Sequence, residues 1–120
     1  MSSLVAPDAF AVVREVGLTL AGVESATKYD GSPVLRVGGA FMAGMATDEF
    51  AEADTLVVRY DLEERDALLE DAPETYYLTD YHRPYPVVLV RLSQIDRAAL
   101  RDLLSVSYRL TLPKSRRPRR

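Results

Sequence analysis

The residue types able to do chemistry concentrate in one stretch, TYYLTDYHRPYPVV at 75–88. It holds four of the chain's seven tyrosines, its single histidine and two of its seven prolines. An imidazole titrates near neutral pH and is the usual acid–base group, but it needs a partner within hydrogen-bond reach. His82 has Tyr81 and Arg83 as its neighbours, and Asp80 lies too near along an irregular loop to read as a designed dyad. The other reading is a histidine simply bonded into a loop. Tyr76, Tyr77, Tyr81, His82 and Tyr85 form the candidate aromatic contact set. Such rings stack on nucleobases or line a pocket, because tyrosine joins a flat apolar body to one polar tip. Alternatively, Tyr76 and Leu78 alternate as a short strand whose rings cover the edge of the core. Pro84 and Pro86 stiffen the lead into the next strand and protect an edge from further pairing.

Other catalytic patterns are missing. There is no G-x-S-x-G, H-E-x-x-H or Walker-type phosphate loop in the sequence. Gly38-Gly39 lacks the dinucleotide fingerprint and reads as a hairpin turn. Asp48, Glu49, Glu52 and Asp54 offer hard oxygen ligands without the glycine and spacing of a calcium loop, so they read as a solvated acidic loop. With no cysteine, there is no disulfide frame, thiolate nucleophile or cysteine-ligated zinc. The expectation is a protein without a catalytic residue, metal or cofactor.

The cations suggest a different chemistry. Arg36, Arg59 and Arg91 each stand late in a predicted strand, out of phase with Leu35, Leu56 and Leu92. On neighbouring strands they would share the outer face of a sheet, with Lys28 joining from the first strand. Such a row of cations suits phosphates; the alternative is ordinary solvent-facing arginines paired with carboxylates. From Arg109 onward there are six basic residues and no acid, including Lys114, Arg116 and Arg117. Residues 1–108 therefore carry nine basic against eighteen acidic side chains, although the whole chain is only −3. An acidic body with a basic tail suggests a polyanion-binding arm or a disordered, solubilising end.

The elements that must position these groups follow from periodicity. Residues 7–21, opened by Pro7 and Asp8, place Phe10, Val13, Gly17 and Leu20 on one helical stripe, with Gly22 as the terminator. A β-meander follows through the turns Asp30-Gly31-Ser32 and Gly38-Gly39. Its alternation sets Leu35 and Val37 on one face, continued by Phe41, Ala43 and Met45. TLVVRY is the next strand; Asp61 with Glu64 reads as a capping box opening a helix whose inward residues are Leu62, Leu68 and Leu69. VVLVRL at 87–92 is the most strand-like segment. Asp96 caps a last helix carrying Leu100, Leu103 and Leu104, with Ile95 as its staple. The order α-β-β-β-β-α-β-α predicts an α+β two-layer sandwich, with an antiparallel sheet of about five strands and helices on one face.

At 120 residues, 48% apolar and 28% charged, this is one domain over 1–112 with a basic disordered tail at 113–120. No run reaches the ~20 apolar residues of a membrane span. The N-terminus MSSLVAPDAF has no signal-like run, so a cytoplasmic monomer is expected.

The segments YDGSPVLRVGGAFMA, DTLVVRYDLEERDALLEDAPETYYLTDYHRPYPVVLVRL and LRDLLSVSYRLTLPK resemble the MmcQ/YjbR family over about residues 8–114. That resemblance implies an α+β fold of "double wing" hairpins and a DNA-binding role without a reaction. Arg83, Arg91, Arg109 and Lys114 stand where the family commonly carries cations. Where relatives place a basic residue after the Gly-Gly turn, this chain has Ala40. Relatives often read His then Tyr at Tyr81-His82, and carry a Trp near Tyr108. Two functions are thus expected: weak, salt-sensitive DNA binding through wing strands and tail, or a protein- or ligand-binding module using loop 75–86.

Overall fold

The computed structural model describes residues 9–112. The order is α1 (Ala11–Gly17), β1 (Val23–Thr27), β2 (Pro33–Val37), β3 (Ala40–Met45), β4 (Thr55–Arg59), α2 (Arg65–Asp71), β5 (Tyr76–Tyr77), β6 (Val87–Arg91) and α3 (Arg97–Thr111). One six-stranded sheet runs β1-β2-β3-β4-β6-β5 with every neighbouring pair antiparallel. The expected α+β class holds, with the two-residue β5 added to the five strands anticipated. Among the described residues, no helix is long and apolar enough to cross a membrane.

The hairpin chemistry accounts for the meander. Gly38 and Gly39 take φ of 59° and 80°, the two positive values a tight I′-type turn requires, and Val37 pairs with Ala40 across it. Inward residues then meet in rows across the sheet: Leu35, Ala43, Val58 and Val88 in one, Met45, Leu56, Val90 and Tyr76 in the next. These rows, with Val13 and Val16 of α1 and Leu100, Leu103 and Leu104 of α3, make the core. Asp96 accepts from Ala99 N at 2.8 Å and caps α3 as expected.

Four local expectations are corrected. A β-bulge between Leu35 and Arg36 on one side, opposite Met42 on the other, breaks the alternation of β3. Phe41 therefore leaves the face of Ala43 and Met45 and packs beside Gly44, while Met42 is fully buried in the core. The first helix is shorter than 7–21: it ends at Gly17, and Gly22 takes its positive φ at the entry to β1 instead. Pro7 and Asp8 lie outside the described residues. The second helix starts at Arg65, not after Asp61, and its N-cap Glu64 makes no side-chain cap. Asp61 instead accepts from Glu63 N and Glu64 N to form a preceding turn, which leaves Leu62 exposed rather than inward.

Gly17 shows how closely α1 approaches the sheet: a Cβ there would lie 2.4 Å from Leu35 Cδ1. Leu35 is itself fully buried. Leu35→Ala is expected to lower unfolding free energy by about 2–5 kcal/mol in chemical denaturation, through lost burial and the cavity left under α1.

Candidate functional site

The face of the sheet away from α1 and α3 carries Arg36, Arg59 and Arg91, as the register of their strands dictates. Two long connections, 46–54 and 78–86, come together on this side. Three rings from them form a contiguous exposed ridge. Phe50 stacks on Tyr81 with centroids 5.1 Å apart, and Tyr81 lies 6.2 Å from Tyr85. Phe50, Tyr81 and Tyr85 are 54%, 52% and 51% exposed, so about half of each ring meets solvent and half meets protein.

Buried polar side chains hold the two connections in place. Arg65, at the start of α2, sends its guanidinium inward to three carbonyls of the tyrosine segment. Nη2 donates to Arg83 O at 2.6 Å, and Nη1 donates to Tyr85 O at 2.7 Å and Val87 O at 2.9 Å. Its Nε is buried too and finds no acceptor among the described residues. Burial without a carboxylate pulls the Arg65 pKa down, with Arg83 adding to the effect against Asp66, yet a guanidinium remains charged at any physiological pH.

His82 ties one connection to the other. Its Nε2 lies 3.2 Å from Asp48 Oδ2, its Nδ1 lies 2.7 Å from Thr79 Oγ1, and its backbone N–H donates to the same Thr79 oxygen. The tautomer protonated on Nε2 satisfies all three contacts, with the Thr79 hydroxyl donating to Nδ1. Asp48 uses its other oxygen to accept from Phe50 N and Ala51 N, so one carboxylate shapes the turn carrying Phe50 and anchors the loop carrying Tyr81. Both imidazole nitrogens of this buried ring are engaged within the protein. The Tyr81 ring meets the imidazole edge-on at 5.0 Å.

A third tie lies at the far end of the acidic connection. Arg91 grips Glu52 with two bonds of 2.8 Å, donates from Nη1 to Pro73 O and Glu74 O, and sits 4.3 Å over the Tyr77 ring. The Tyr77 hydroxyl accepts from Glu52 N and shares a 2.6 Å bond with Thr55. Chiefly through its hydrogen bond from Arg91, the Glu52 carboxyl is held below the usual carboxylate range.

The sequence candidates therefore separate. Tyr81, Tyr85 and the exposed Arg83 share the ridge, with Arg83 Nε 3.8 Å from Asp80. His82 and Tyr77 lie behind it as ties, and Tyr76 turns to the helix side, into the core. Lys28 donates to Met45 O at 3.3 Å. Arg36 and Arg59 are half-buried on the second face, and no ion pair engages either among the described residues. Arg109 is exposed in the last turn of α3. Lys114, Arg116 and Arg117 lie outside the described residues. Phe50 and Arg65 are additions that sequence reasoning missed. Phe50 sits between acids in a segment read as a solvated loop, and Arg65 sits among the charges of a helix start. No group of three acid, histidine or cysteine side chains is placed to hold a metal among the described residues.

The sequence profile of the YjbR family matches residues 18–110, spanning the sheet, both connections and nearly all of α3. The chain belongs to the YjbR family. Among curated proteins, this YjbR domain is 38% identical over 48 residues to uncharacterized protein Rv2570 of Mycobacterium tuberculosis, and equally to uncharacterized protein Mb2600 of Mycobacterium bovis. The match covers 40% of this chain and spans 37% of the length of those relatives.

Because Glu52 titrates low in the folded protein, its pairing favours the fold above the ordinary glutamate pKa. That contribution is lost as pH falls through the lowered folded value. Arg91→Gln is expected to raise the Glu52 midpoint back toward the ordinary glutamate range. A carboxyl-detected NMR titration of both proteins reads this directly.

Proposed function

We propose that this YjbR domain is a non-catalytic binding module that captures a protein partner on the ridge of Phe50, Tyr81 and Tyr85. The observation that carries this reading is the ridge itself: three touching rings, half-exposed, on loops fixed from behind by buried polar bonds. Rings already held in place lose little entropy on binding, and buried aromatics are the side chains that dominate protein interfaces. Exposed Arg83 beside them adds a further interface-type residue. The absence of a reaction is part of the same proposal. A cytosolic setting belongs to the same proposal.

A second reading, DNA binding through the wing-like hairpins and basic tail, draws on Arg36 and Arg59. They lie on one face, two strands apart, or roughly 10 Å at the usual strand spacing. Arg91 contributes little to it, since its guanidinium is already bonded to Glu52 and two carbonyls.

One set of variants separates the two. Tyr81→Ala with Tyr85→Ala, checked for an unchanged sheet by circular dichroism, is expected to weaken capture of a cellular protein by about tenfold or more. Duplex DNA titrated at two salt concentrations should respond weakly to that pair. The DNA reading instead predicts that Arg36→Gln with Arg59→Gln lowers the salt slope by about two. Partner capture unaffected by loss of both rings would overturn the proposal.

A further inference from the structure

The helix layer leaves a gap over the β4–β6–β5 side of the sheet. A slot of 240 Å³ lies there, between α2 and α3. Leu68, Leu103 and Val106 supply its apolar walls, and Tyr60, Tyr76 and Asp102 its polar groups. A cavity of roughly 150 Å³ suffices for a benzene ring, so this slot has room for a ring and a short chain.

Tyr76 makes the slot more than a packing defect. The residue is only 7% exposed, yet its hydroxyl has no hydrogen-bond partner among the described residues. The oxygen is not sealed off either, since the fully occluded unpartnered atom among the described residues is Arg65 Nε. The oxygen therefore opens on the slot, where a ligand group can reach it and bond to it. Tyr60, half-buried at the same slot, likewise has no partner for its hydroxyl among the described residues. Burial first, then Tyr60, Asp96 and Asp102, push the Tyr76 phenol up, so the O–H stays protonated.

The chemistry of the three polar groups selects the head group that fits. Each phenol oxygen accepts as well as donates, whereas the Asp102 carboxylate only accepts. A donor-rich ammonium satisfies all three, but a carboxylate would be set against Asp102. We infer that the slot between α2 and α3 binds a small apolar amine, its ring or chain against Leu68, Leu103 and Val106 and its ammonium on Tyr60, Tyr76 and Asp102. This site stands apart from the protein-binding reading of the ridge and does not depend on it.

Three probes of one shape test it on the full chain: phenethylamine, 2-phenylethanol and phenylacetate, each titrated by NMR. Phenethylamine is expected to shift slot residues with a dissociation constant of about 1 mM or tighter. It should bind about tenfold more tightly than phenylacetate, with the alcohol between. Tyr76→Phe keeps the ring in the core and should weaken the amine by about tenfold through loss of one charge-assisted bond. Val106→Phe, at the exposed lip, should block all three probes, and decides the matter if Tyr76→Phe disturbs the fold. Tyr85→Phe, on the other side of the sheet, should change nothing. Equal binding of phenylacetate, shifts that persist in Val106→Phe, or no response to any probe would overturn the inference.

Discussion

The ridge depends on one guanidinium. Arg65 enters the protein without a carboxylate and is accepted by three backbone carbonyls from a single short segment. Taking a charge out of water is costly unless strong hydrogen bonds replace the lost hydration. Here the replacement comes from Arg83, Tyr85 and Val87, so the charge and the loop are mutually required. Without the charge, the Arg83 and Val87 carbonyls lose their guanidinium donor and Tyr85 O keeps the Val87 amide alone; without the loop's path, the charge has no solvation. A segment with two prolines and few backbone bonds of its own is thereby given one shape.

That constraint explains why the sheet has two different sides. The helix side is a conventional core of Val, Leu and Met rows under α1 and α3. The second side is closed in part by two irregular connections, which cannot satisfy each other through a ladder. Side chains do it for them: Arg65 from α2, the Asp48–His82–Thr79 chain across the loops, and Arg91 with Glu52 at the edge. Each tie uses groups that resemble functional chemistry in a sequence, and each bonds one part of the fold to another. The Phe50, Tyr81 and Tyr85 rings are left half-exposed on the outer surface.

Much of the fold was legible because it rests on short-range patterns. Two glycines with positive φ set the β2–β3 hairpin, and the hydrophobic alternation placed Arg36, Arg59 and Arg91 on a common face. The bulge at Met42 was not legible, since one extra residue reverses a face without changing the apolar character of the run. The ties were hidden for another reason. Arg65 meets its carbonyls 18 to 22 residues away, and Arg91 meets Glu52 across 39. Locally, Arg65 is one charge in DLEERD, and nothing there announces a buried guanidinium. Phe50 was missed similarly, because its stacking on Tyr81 arises only once Asp48 and His82 bring the loops together.

Backbone hydrogen exchange in Arg65→Met, compared with the unaltered protein, tests the central claim most directly. The amides of Arg83, Tyr85 and Val87 bond only within the segment itself, to Thr79, His82 and Tyr85. They are expected to exchange about tenfold faster or more in the variant, while the Val88–Val90 amides of β6 keep most of their protection. Unchanged exchange across 79–87 would contradict the account. So would uniform loss of protection through the sheet, which would make Arg65 a support of the whole core rather than of the loop.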